Sequence, residues 1–130
     1  MEYAEYKHIF NEKPCQDAID WLETQPDLAT AWETCPRGDW LWWALQRSDN
    51  TPKKDISVNF AYFCADNAKK YAAYATAAYA DAATAADADA AAYAAADAAN
   101  AAAYADATAD ADAEKLSQSE WIRKHITCPF

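Results

Sequence analysis

No glycine or proline occurs between Lys53 and Cys128, a run of 76 positions, so nothing in the backbone chemistry interrupts a helix there. Within it, Tyr71 to Ala113 holds 27 alanines in 43 residues, with 5 Tyr, 7 Asp, 3 Thr and 1 Asn. A single rod over that run would span about 110 Å at 1.5 Å per residue, more than a compact domain can cover. The stretch must therefore fold back or bind something. Alanine faces let helix axes approach at the near end of the usual range, which suits a long antiparallel hairpin with tyrosines filling the gaps. Breaks are expected at short polar residues, near Thr84 to Asp89 and near Thr108 to Asp112. In the first arm, about Ile56 to Asp81, Phe60, Cys64, Tyr71, Tyr74 and Ala78 form a packing seam.

Methyl groups alone give this arm no thick core, and the bulky apolar residues lie elsewhere. Five of the six tryptophans, Trp21, Trp32, Trp40, Trp42 and Trp43, sit in the first third of the chain. Pro14 to Arg47 reads as three short helices. Pro14 opens the first, with Ala18, Ile19, Trp21 and Leu22 facing a core. Pro26 opens the second, aligning Leu28, Ala31, Trp32 and Cys35. Gly38 is expected at positive φ, with Asp39 capping a third helix that carries Trp40, Leu41, Trp43, Ala44 and Leu45. The polar break Ser48 to Pro52 ends the Trp-rich part. At the other end, Leu116, Trp121, Ile122 and Ile126 predict a helix docked on the Trp-rich core. The reading is one all-α domain over 1–130: a small Trp-rich bundle (1–52), an Ala-rich helical arm (53–113) and a C-terminal docking helix (114–130).

The net charge is −10 and the sequence pI about 4.4, which argues against direct binding of nucleic acid or an anionic membrane. The opening residues have no basic stretch followed by an apolar run, and aspartates break the alanine run too often for a membrane span, so a cytoplasmic protein is expected. Cys15, Cys35, Cys64 and Cys128 are widely spaced without a CxxC and read as reduced, small apolar residues. His8 and His125 have no zinc-finger spacing with them, so no metal or other cofactor is expected. No catalytic constellation is visible either, since nucleophile elbow and glycine-rich phosphate loop are both missing. Arg37-Gly38-Asp39 matches an integrin-binding tripeptide, but a turn followed by a cap accounts for it.

Acidity is the strongest chemical signal. Eight acids (Asp81, Asp87, Asp89, Asp97, Asp106, Asp110, Asp112 and Glu114) and no base lie between Lys70 and Lys115. Such a surface keeps an alanine helix soluble. It also suits docking onto a basic protein, because carboxylates held on rigid helices can imitate phosphates in a nucleic-acid-binding groove. Aspartate, the poorer helix former, is chosen over glutamate at seven of the eight positions, which favours a role beyond solubility. The candidate partner-binding residues are therefore Asp81, Asp87, Asp89, Asp97, Asp106, Asp110 and Asp112. Trp42 joins them, because adjacent Trp42 and Trp43 cannot both face inward on one helix.

Three segments carry a family resemblance: Cys15-Gln16-Asp17-Ala18-Ile19-Asp20-Trp21, Ala31-Trp32 followed by Cys35, and Arg37-Gly38-Asp39-Trp40-Leu41. With the Tyr71-Ala72-Ala73-Tyr74 repeat and the closing Ile122-Arg123 helix and Pro129-Phe130, the chain resembles an Ala-rich, type-5-like immunity-domain family of bacteria and their phages. That resemblance implies an all-helical protein that neutralises a toxin or a competing system by binding; with the acidic arm, the expectation is a non-enzymatic, phage-type inhibitor that binds and blocks a nuclease, toxin or defence protein. The chain departs from the family in lacking a segment between the Trp-rich helices and the arm, and in a more acidic arm. A different class, an ice-binding-like interfacial helix, would use Thr76, Thr84 and Thr108, whose spacings of 8 and 24 are irregular.

Overall fold

The computed structural model describes residues 1–68, 92, 93, 96 and 111–130. These are helical and contain no strand: α1 (Tyr3–Tyr6), α2 (Gln16–Glu23), α3 (Leu28–Thr34), α4 (Gly38–Gln46), α5 (Lys54–Ala68) and α6 (111–125). The all-α bundle expected from the sequence is present. The hairpin expected of the alanine arm, with its turn near Thr84 to Asp89, lies outside the described residues.

Three short helices occupy Pro14 to Arg47 as expected, but their starts differ by a residue or two from the sequence reading. Asp27, not Pro26, opens α3, its Oδ1 accepting the Thr30 backbone N–H at 2.7 Å. Arg37 stands at the N-cap of α4, and Asp39 falls in the first turn, where its charge complements the helix dipole. Gly38 is not in the left-handed region. It is required for close approach: a Cβ there would lie 2.5 Å from Gln118 Cβ and 2.9 Å from the Ser119 nitrogen. The N-terminal turn α1 was not expected; in it the Glu5 carboxylate accepts the Glu2 backbone N–H.

The core joins α3, α4, α5 and α6. Trp32, Leu41, Trp42, Leu45, Phe60, Ala61, Cys64, Ala65 and Ile122 are buried in one cluster. On α5, Ser57, Phe60, Ala61, Cys64 and Ala65 recur at helical spacing and are all fully enclosed. Phe60 is the centre of the ring packing. It stacks on Trp42 at 4.3 Å between centroids and meets Trp121 at 5.2 Å. Trp121 in turn stacks on Phe63 at 5.8 Å. The alanine stretch reaches this cluster at Ala92, while Tyr93 points to solvent.

Helix α6 docks as expected, although it already runs at residue 111 and its inner face is unlike the one anticipated. Leu116 is exposed at 41%, whereas Glu114, Gln118 and Ser119 are buried beside Ile122. Part of this polar face is paired within the fold: Glu114 Oε1 accepts from Gln118 Nε2 at 3.0 Å and from Asn67 Nδ2 of α5 at 3.2 Å. Farther along α6, the Arg123 guanidinium donates to the carbonyls of Cys35 (2.8 Å) and Trp32 (3.3 Å). A cation there satisfies carbonyls at the end of α3 that have no intrahelical partner. Phe130 closes the other side, between Phe10 (5.9 Å) and Trp32 (6.0 Å).

Candidate partner-binding site

Helices α2, α3 and α4 enclose a cavity of about 410 Å³. The space follows from the residue sizes. Ala18 of α2 and Ala31 of α3 line it with single methyl groups, and the rings of Trp21, Trp32, Trp40 and Trp43 stand around the gap that is left. Phe10 and Phe130 also line it. It opens to solvent, since Cys15 on its wall is exposed and Trp21, Leu22, Leu28 and Trp40 are only half-buried.

At this cavity the Arg37-Gly38-Asp39 segment is held rigidly. Arg37 donates to both oxygens of Asp39, Nε to Oδ1 at 2.9 Å and Nη2 to Oδ2 at 2.6 Å. The guanidinium also lies over the Trp40 ring, 4.4 Å from its centroid. The Asp39 hydrogen bond holds the Arg37 pKa above its ordinary value. Trp40 meets Trp21 at 5.9 Å. Both charges of the tripeptide are thus satisfied internally, and the Trp40 side chain is a wall of the cavity.

The two other walls bear charge of one sign. Asp17, Asp20 and Glu23 on α2, Asp27 at the α3 cap and Glu33 on α3 are all exposed, and positions 14 to 36 contain no Lys, Arg or His. Hydrogen bonding from the Thr30 backbone holds the Asp27 carboxyl below its ordinary pKa. This second acidic surface was not singled out from the sequence. The signal was present in the five uncompensated acids, but only the helix geometry turns all of them outward.

Of the residues expected to bind a partner, Asp112 is exposed on α6. Asp81, Asp87, Asp89, Asp97, Asp106 and Asp110 lie outside the described residues, as do Thr76, Thr84 and Thr108. Two expectations are corrected. Trp42 is 1% exposed, sealed by Phe60, and presents no contact surface, while Trp43 is the member of the pair that lines the cavity. Glu114 is buried against Asn67 and Gln118 and does not belong to the acidic surface.

All four cysteines are free thiols, with Cys35 and Cys64 buried, Cys128 half-buried and Cys15 exposed. Burial pushes the Cys35 thiol up to about 11 and raises that of Cys64 as well, so neither is a ready nucleophile. Among the described residues no group of three or more His, Cys, Asp or Glu side chains converges as a metal site would require. No described helix is long and apolar enough to cross a membrane. No protein-family model, curated protein or solved structure matches the chain.

Proposed function

We propose that this protein is a non-enzymatic inhibitor of the immunity type, which binds a basic protein such as a nuclease, a toxin or a defence component and blocks it through a negatively charged helical surface. The observation that carries this reading is uncompensated acidity in two stretches of the chain. Seven aspartates and no base lie between Lys70 and the buried Glu114, and five further acids, all exposed, occupy positions 14 to 36 without a base. Opposite charge on a partner would then steer association and raise its rate. The resemblance of the Cys15 to Trp21 and Arg37 to Leu41 segments to an immunity-domain family points the same way.

Affinity capture of a partner from bacterial lysate, followed by association kinetics at rising salt, tests the proposal. Steeply slowing association is expected for the native chain, and a slower rate at low salt for a variant with Asp87, Asp89, Asp97 and Asp106 changed to Asn. If the acids serve solubility alone, partner binding will be unchanged in that variant, which will instead self-associate through its neutralised alanine surface.

A further inference from the structure

We infer that the Trp-lined cavity between α2, α3 and α4 is a socket for one large apolar side chain of the partner, presented on a lysine- or arginine-rich segment. This rests on the proposed function and adds to it a contact made by the Trp-rich helices. A pocket of about 410 Å³ walled by Trp21, Trp40 and Trp43 exceeds the volume of any single side chain, so an anchor enters without the core being rearranged. The charges around it choose the partner. Asp17, Asp20, Glu23, Asp27 and Glu33 project from the helices that form two of its walls, and no base between positions 14 and 36 offsets them. Arg37, the cation on the wall, is occupied by Asp39 and by the Trp40 ring. None of the five acids lines the cavity itself, but a basic segment laid across these helices would find carboxylates exposed on both, whereas an acidic one would find no cation between Lys13 and Arg37.

The probe is a synthetic peptide with one phenylalanine between two pairs of lysines, titrated into the full chain and followed by calorimetry and tryptophan fluorescence. Replacing its phenylalanine with alanine should weaken binding about tenfold or more, the effect of one buried aromatic anchor. Replacing its lysines with glutamates should abolish binding. On the protein, Ala44→Leu at the half-buried wall of α4 should narrow the cavity and weaken the peptide. The exposed set Asp17→Asn, Asp20→Asn and Glu23→Gln should weaken it without touching the core, which keeps the test decisive if Ala44→Leu disturbs folding. Equal binding of the lysine and glutamate peptides, or indifference to both the anchor and the Asp17, Asp20 and Glu23 changes, would overturn the socket. So would uptake of a neutral naphthylamine dye with no response to the lysine peptide, which would make the cavity a small-molecule pocket. If the socket fails while a captured partner still associates in a salt- and arm-dependent manner, only this inference is lost.

Discussion

Gly38, the first residue of α4, and Gln118 of α6 approach so closely that a Cβ on the glycine would stand 2.5 Å from the glutamine Cβ. The contact is with the stem of the glutamine and with backbone atoms, the Ser119 nitrogen at 2.9 Å and the Gln118 carbonyl carbon at 3.0 Å, so no rotamer change relieves it. Gly38→Ala should therefore destabilise the fold by about 1 to 3 kcal/mol, the usual cost of overpacking, despite the better helix propensity of alanine. Chemical denaturation of the variant measures this; unchanged stability would mean that α4 and α6 sit farther apart.

The adjacent tryptophans should behave differently. Trp42→Ala removes a fully enclosed ring stacked on Phe60 and should cost about 3 to 5 kcal/mol. Trp40 is half-buried and faces the cavity, so Trp40→Ala should cost clearly less. Thermal melts of the two variants compare them directly.

This pair marks how far the sequence could be read. The three short helices were legible because their apolar residues recur at helical spacing between polar and proline-bearing breaks, although the caps themselves lie a residue or two from where they were read, and the Phe60 and Cys64 seam because its spacing is helical. Trp42 was misassigned because α4 is apolar nearly all round from Trp40 to Leu45, which leaves no period to pick the inner face. Gly38 was read as a turn former because its actual constraint comes from Gln118, far along the chain. The cavity escaped for a similar reason. It depends on Ala18 and Ala31 meeting large rings across three helices, a tertiary volume that no spacing encodes. Helix α1, only four residues long, is too short to show a period.

Arg123 links α6 to the end of α3 by two charged hydrogen bonds. Arg123→Met keeps much of the aliphatic stem but leaves those carbonyls unpaired, and should cost about 1.5 to 3 kcal/mol. Urea denaturation followed by tryptophan fluorescence reads the loss.

Thiol chemistry should divide the cysteines. At mildly alkaline pH a maleimide should modify Cys15 fastest and Cys128 more slowly, with Cys35 and Cys64 reacting only on unfolding. Because the folded Cys35 pKa of about 11 exceeds the ordinary 9.0, folding favours the protonated thiol. That contribution is complete below pH 9.0 and is lost as pH climbs toward about 11. At the acid end Asp27 acts oppositely: its lowered pKa contributes stability above the ordinary carboxylate range, which is lost as pH falls through the folded value. Mass spectrometry of labelled protein and melting temperature against pH check both ends.

Steering of this chain onto a basic protein by its negative charge is read from the association rate of the captured partner as a function of salt, for the native chain and for the variant with Asp87, Asp89, Asp97 and Asp106 changed to Asn. The native chain should show a steep fall with salt, because exposed charges are screened over about 8 Å at physiological ionic strength, and the variant a slower, flatter curve, as such steering requires. Two superimposable curves, indifferent to salt, would contradict it.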